Sequence, residues 1–270
     1  MLERVERGAL ALIASPDLET ERGISIAFTG RRGGRGSGPY ADLNISYNVG
    51  DDRSVVASNR GVVSSALEMP EADWVLCQQV HGTAVADVGL LEKGRGALDD
   101  WSALARTDAL VTTQQGIALG VLTADCVPLI LVDPGLPAIA VVHAGWRGVL
   151  SGIAVRGLER LVKRSGGAPG GILAFIGPHI GPCCMDVGDD VAAMFSGEFG
   201  DPAVAGTEGR HTLDLAAACK QQLARSGVKR ANIFEARVCT ACSDEHFSFR
   251  RDPVCGRQMA VACIREGEDA

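Results

Sequence analysis

Between Ala109 and Val142 the chain passes through four short apolar runs: Ala109 to Thr113, Ile117 to Thr123, Pro128 to Val132 and Ala138 to Val142. A strand with one wet face alternates apolar and polar residues, so runs that barely alternate suit strands buried on both faces. Such strands need cover on each side, which points to layers of sheet and helix. The region cannot be a transmembrane helix, because Asp125, Asp133, Pro134 and Pro137 interrupt it.

Further strand signals lie at Ile24 to Phe28, at Trp74 to Val80 and Thr83 to Val88 around His81-Gly82, and at Ile172 to Ile176, Ile233 to Val238 and Met259 to Ile264. Helical spacing appears in the second half. Val149, Ile153, Leu158, Leu161 and Val162 fall on one face, and Ser165-Gly166-Gly167 followed by Pro169 supplies the stop. Val187 to Phe195 and Leu213 to Leu223 are two more amphipathic candidates. No fixed-period repeat and no Pro-, Ser- or charge-rich linker divides the 270 residues. The expectation is one layered α/β domain spanning 1–270, long enough to bury roughly 75% of its unfolded surface.

A net charge of −7 disfavours a nucleic-acid or anionic-membrane partner. The apolar stretch Ala9 to Ala14 is too short for a signal peptide and wrongly flanked, by Glu3 and Glu6 before and Pro16-Asp17 after. The nine cysteines are odd in number and sparse for a secreted disulfide scaffold, so reduced thiols and a cytoplasmic location are expected.

His81, Cys126 and His143 each sit where an apolar run ends, beside Gly, Pro or Asp. Imidazole and thiolate are donors that zinc and copper accept, and two His plus one Cys leave a fourth tetrahedral position open, as in a catalytic zinc site. A single cysteine in an apolar segment is more often a small core residue; it is the set of three at run ends that favours ligation. Asp125 beside Cys126 is a candidate general acid/base or a partner for an imidazole, since an isolated buried carboxylate is costly. The His143-Ala144-Gly145-Trp146-Arg147-Gly148 segment lies between a strand and a helix, where backbone N–H groups and Arg147 suit an anion. Cys183-Cys184 with Cys239-x-x-Cys242 offers a rival, structural site of four thiolates. The adjacent pair argues against it, because zinc knuckles normally wrap intervening residues around the ion. Cysteines 77, 219, 255 and 263 read as core.

An ordered set of motifs runs along the chain: Gly38-Pro39-Tyr40-Ala41-Asp42-Leu43-Asn44, Val49-Gly50-Asp51-Asp52, Asn59-Arg60, Gln79-Val80-His81-Gly82-Thr83, Ala124-Asp125-Cys126-Val127-Pro128, the segment from His143 to Gly148, Ile176-Gly177-Pro178 and Phe247-Ser248-Phe249-Arg250-Arg251. In these motifs the chain resembles the YfiH-like family, most strongly over residues 28–264. Members of that family have been described as multicopper polyphenol oxidases or laccases and as purine nucleoside phosphorylases with adenosine deaminase activity. The resemblance implies that His81, Cys126 and His143 are metal ligands and that Asn44 helps to orient the pocket. It also implies a single compact α/β sandwich related to the cysteine-hydrolase fold of the cytotoxic necrotising factors. The chain departs from the family pattern at Asn48, where His is frequent, and at Met185-Asp186, where Tyr-Glu is usual.

Among the activities so implied, a laccase needs a blue copper site plus an imidazole-rich copper cluster. The histidines at 81, 143, 179, 211 and 246 are too few for both. A site of two His and one Cys would still accept Cu²⁺, which keeps copper-dependent polyphenol oxidation as the alternative. The leading expectation is a Zn²⁺-dependent purine nucleoside enzyme. It would cleave adenosine, inosine, guanosine and related nucleosides such as methylthioadenosine with phosphate to base and pentose 1-phosphate, and would also deaminate adenosine. Zinc lowers the pKa of bound water to roughly 7, which suits deamination. Asp125 is the nearest proton shuttle, and Arg60 and Arg147 are the expected phosphate ligands. A second alternative uses the same residues without metal, as a hydrolase with Cys126 as nucleophile and His143 or His81 as base.

Overall fold

The apolar runs become strands of two six-stranded sheets laid face to face in the computed structural model, which describes residues 1–200, 203–207 and 210–266. The first sheet comprises β1 (Glu3–Arg7), β2 (Leu10–Ala14), β3 (Ile24–Thr29), β4 (Trp74–Leu76), β7 (Ala118–Thr123) and β15 (Gln258–Ile264), in the order β1-β2-β3-β15-β7-β4. The second comprises β5 (Val85–Asp87), β6 (Ala109–Thr112), β8 (Val127–Asp133), β9 (Ala138–Ala144), β10 (Leu173–Ile176) and β14 (Ile233–Glu235), in the order β14-β10-β8-β9-β6-β5. Most neighbours are antiparallel; β4 with β7, β5 with β6 and β10 with β14 are parallel. A small sheet of β11 (Asp186–Val187), β12 (Val204–Thr207) and β13 (Arg210–Leu213) stands apart.

Every residue of β8 and β9 is buried, as their unbroken apolar character predicts. Period-two alternation divides them between two cores. Ile130, Val132, Ile139 and Val141 meet Ile26, Phe28, Leu119, Val121 and Ala260 of the first sheet. Leu129, Leu131, Ala140 and Val142 face the other way, onto α4 (Ile153–Ser165), α5 (Asp189–Phe199) and α6 (Leu215–Arg225). A third cluster, including Leu10, Leu12, Trp74, Ala118 and Val261, is covered by Val63 and Leu67 of α2 (Arg53–Leu67). The order of layers is therefore helix, sheet, sheet, helix. Cutting Ile139 to Ala would open a void in the middle of this stack, at a cost of roughly 2–5 kcal/mol.

The structure differs from the sequence reading in the first half, where α1 (Pro16–Arg22) and α2 are helical. Asp52 caps α2 by accepting from the Ser54 and Val55 N–H groups. Its inward stripe of Val56, Asn59, Arg60, Val63 and Leu67 carries two polar residues, which breaks the apolar periodicity. The run from Val149 to Val162 is two helices, α3 (Trp146–Leu150) and α4, separated at Gly152, whose φ of 84° a side chain would oppose. Ala9 to Ala14 supplies β2. Among the described residues no helix is long and apolar enough to cross a membrane.

Candidate metal centre

Two connections cross from the first sheet to the second at one end of the sandwich, where β9 also ends. The β4–β5 connection carries His81, and the short β7–β8 turn carries Asp125 and Cys126. His143 is the penultimate residue of β9, beside Pro128 at the start of β8, and alternation gives it the inter-sheet face of Ile139 and Val141. Their donor atoms all lie within 4.8 Å of one another. Cys126 Sγ is 3.6 Å from His81 Nε2, and the two imidazole rings meet edge to face at 4.8 Å between centroids.

Asp108, one residue before β6, fixes both histidines. Its carboxylate accepts a hydrogen bond from His143 Nδ1 at 2.8 Å and others from the Val80, His81 and Gly82 backbone N–H groups at 3.1, 2.9 and 2.7 Å. His81 needs that hold, because it sits at φ 58°, in the left-handed region that non-glycine residues avoid. Burial would raise the Asp108 pKa, but His143 and the Gly82 and Val80 N–H groups draw it below the ordinary carboxylate value. With Nδ1 engaged, His143 presents Nε2 to the cluster, the arrangement by which a carboxylate orients a metal-binding imidazole.

The cluster is electrostatically self-supporting. Burial works to raise the Cys126 pKa, yet His143 and His81 bring it down to about 6. Burial works to lower that of His143, yet Cys126 and Asp108 lift it to about 9. At neutral pH the cluster without an ion is thus a thiolate–imidazolium pair. The geometry also fits an ion. Zn–N and Zn–S bonds of ordinary length at tetrahedral angles set sulfur and nitrogen about 3.6 Å apart. Gly145 leaves the room: a Cβ there would stand 2.5 Å from His81 Cδ2 and 3.1 Å from Cys126 Sγ.

These residues line a cavity of about 460 Å³, within the range of small-molecule sites. Asp125 lines it too, at a strained φ of 92°. Its two carboxylate oxygens accept from Thr240 Oγ1 at 2.6 Å and from the Arg250 N–H at 2.7 Å, which ties the β7–β8 turn to the segment around residues 240–250.

The two arginines expected to bind phosphate stand elsewhere. Arg60 is buried beneath α2, stacks over Tyr47 at 4.3 Å, and donates to the carbonyls of Ile45, Gly96 and Ala97. Its guanidinium fastens two loops and is absent from the cavity lining. Arg147 is exposed, lies over the Trp146 ring at 4.3 Å and also stays off the lining. The helix in which it is the second residue has only five. Among the described residues, the arginines that line the cavity are Arg250 and Arg257. Asn44 acts one step back: wholly buried, it accepts from the N–H groups of Ser46 and Arg257, both of which line the cavity. Asn48 and Met185, where the chain departs from the family pattern, are on the wall as well.

Asp108, Arg250 and Arg257 escaped the sequence reading. Like Asp125, Asp108 before Ala109 is a carboxylate at the edge of an apolar run, where burial without a partner is costly. Arg250 lay in the Phe247–Arg251 motif without a role.

The profile of a family described as multi-copper polyphenol oxidoreductase laccase matches residues 25–265. Purine nucleoside phosphorylase YlmD of Geobacillus stearothermophilus is 37% identical over 250 residues, covering 90% of this chain and 91% of that protein. Adenosine deaminase RL5, from an unknown prokaryotic organism, is 37% identical over 231 residues, covering 84% and 87%. The crystal structure of YlmD from G. stearothermophilus superposes with a TM-score of 0.91 at 34% identity over 97% of this chain and 99% of that one. That of the hypothetical protein YfiH from Bacillus licheniformis gives 0.90 at 31% identity over 96% and 98%.

Proposed function

The chain belongs to the multi-copper polyphenol oxidoreductase laccase family, and from that premise we propose that it is a zinc-dependent purine nucleoside phosphorylase that also deaminates adenosine. The observation that carries this reading is the convergence of His81, Cys126 and His143 on the floor of a nucleoside-sized cavity whose wall bears Arg250 and Arg257. The names of the similar proteins support it: one is a purine nucleoside phosphorylase and another an adenosine deaminase.

His81, Cys126 and His143 would hold the ion, which when bound supplies positive charge and Lewis acidity. Arg250 and Arg257 attract phosphate into an otherwise acidic protein, and planar guanidinium groups match its oxygens two at a time. Leu122, Ile180, Met185 and Phe249 give the purine an apolar bed. Asp108 keeps the His143 ring in one orientation. Asp125 is assigned a positioning task, since both its oxygens already hold the loop that carries Arg250. Copper would enter the same donor set, but among the described residues no further histidine joins it. His179 bonds to the Gly177 carbonyl, His246 meets Ser243, and His211 pairs with Asp189.

A second reading draws on the thiolate–imidazolium pair. Cys126, His143 and Asp108 have the roles of nucleophile, base and orienting acid in a metal-free cysteine hydrolase. Metal analysis of protein purified without added metal separates the two, because a tightly held equivalent of zinc removes the free nucleophile. The activity test incubates zinc-loaded protein with inosine or adenosine, with and without phosphate. Free base and pentose 1-phosphate are expected only with phosphate, and inosine from adenosine without it. If neither appears, while copper-loaded protein oxidises phenols efficiently, the oxidase reading replaces this one.

A further inference from the structure

Cys183, Cys184, Cys239 and Cys242 come together on the helix-covered side of the second sheet, outside the cavity lining. Adjacent cysteines lack the intervening residues that zinc knuckles wrap around an ion, and in an extended chain they would point to opposite faces. The structure removes that objection by coiling the chain. The N–H groups of Cys184 and Met185 both bond back to the Gly181 carbonyl, so Cys183 and Cys184 occupy a tight turn in which successive side chains diverge by only about 100°. The opposing pair lies in a second turn, where three-residue spacing brings Cys239 and Cys242 to one side. A short parallel bridge between His179 and Cys239, with the His179 N–H on the Val238 carbonyl and the Thr240 N–H on the His179 carbonyl, aligns the two turns.

From this arrangement we infer that the four cysteines form a structural zinc site, separate from the His81–Cys126–His143 centre. Four sulfurs around zinc at the ordinary bond length define a tetrahedron with edges of about 3.8 Å. Cys242 Sγ lies 3.6 Å from Cys183 Sγ and 3.4 Å from Cys184 Sγ, and all four sulfurs are within 4.8 Å of one another. These separations suit a shared ion and are far longer than a disulfide bond of about 2.05 Å. All four residues are free thiols. The Gly181 N–H already donates to Cys239 Sγ at 3.2 Å, a bond that favours the charged sulfur a metal needs. Gly181 is also close-packed here: a Cβ would meet Cys239 Cβ at 3.3 Å and Cys183 Sγ at 3.4 Å.

Four thiolates complete a tetrahedron and leave no position for substrate, so the ion is a clasp. It joins the turn after β10 to the segment that forms one cavity wall. Thr240, between the second pair, donates to Asp125, and Arg250 Nη1 donates to the Cys184 carbonyl at 2.9 Å. The clasp thereby fixes Arg250 and Phe249 relative to Cys126.

The test uses the full chain carrying Cys126→Ser, which removes the thiolate of the other centre. This protein, reduced and kept anaerobic, is titrated with Co²⁺. One equivalent is expected to bind with strong thiolate-to-cobalt charge-transfer absorption, and Zn²⁺ should displace it. Adding Cys242→Ser should weaken cobalt binding by more than the 10- to 100-fold typical of losing a mere supporting partner. X-ray absorption of the zinc-loaded Cys126→Ser protein gives a readout independent of the second substitution, with four sulfurs expected at about 2.3 Å. The inference is overturned if Cys126→Ser protein retains no metal, if the absorption survives Cys242→Ser, or if the zinc shell is mainly nitrogen and oxygen.

Discussion

The two clusters of potential ligands differ in what carries them and in what they leave open. His81 and Cys126 hang from connections that bridge two sheets and His143 from the end of β9, with His143 only 3% exposed and bonded to Asp108. Cys183, Cys184, Cys239 and Cys242 sit on two loop turns, with Cys183 and Cys242 exposed. The first set is mixed and three-fold, and it opens onto a cavity. The second is all sulfur, and its fourth corner is filled by protein. A centre that reacts needs a vacancy and a rigid frame, whereas a centre that braces needs saturation and can itself be the frame. On the proposed reading, chemistry belongs to one cluster and architecture to the other.

Its severest test is Cys126→Ser. Turnover of nucleoside should fall to background and the zinc of this centre should be lost, while circular dichroism and the thermal transition stay close to those of the parent. Metal analysis beside an activity assay reads both; an active serine variant would dissolve the division of labour. Next is Asp108→Asn, which keeps the shape but removes the charge that holds His143 and the His81 backbone. Zinc affinity or activity should drop by roughly 10- to 100-fold, the usual cost of losing such a partner. Competition with a chromophoric chelator measures it.

The loop side has a pH signature of its own. His246, in the same loop segment as the second pair of cysteines and bonded to Ser243, is lowered to about 4 by burial and by the charges of Arg251 and Arg4. The unfolded chain therefore binds the extra proton first. The contribution to stability is intact above about pH 6.5 and is lost as pH falls towards 4, by roughly 2 kcal/mol at pH 5. Urea titrations at pH 7 and pH 5 should show this loss, and His246→Gln should flatten it. The mildest effect expected is that of Arg250→Ala: about a tenfold rise in KM for phosphate, from losing one charge-assisted contact worth about 1.5 kcal/mol. Arg60→Ala should instead lower thermal stability, because its guanidinium binds three carbonyls and is not part of the cavity lining.

Much of this was legible in the chain. The unbroken apolar runs of β8 and β9 announced cover on both faces, and the three donors at the ends of such runs do come together. What stayed hidden had local causes. Asn59 and Arg60 interrupt the inward stripe of α2, so its periodicity fades although the helix forms. Arg60 looked like a phosphate ligand because its charge is plain in sequence and its burial is not.

Sequence by itself determined the residue types: which segments must be buried, which side chains can bind a metal, and how far apart along the chain they stand. Those are properties of composition and period, and neighbours along the backbone suffice to express them. Only the tertiary structure decided which charges face the cavity, that one carboxylate at position 108 governs both histidines, and that two adjacent cysteines can share a site with a distant pair. Each of these depends on segments far apart in sequence, such as 125 with 250 or 183 with 242, being brought within hydrogen-bonding or ligating range. Local pattern carries no information about that distance. It is set by how the two sheets stack and where their crossing loops must turn.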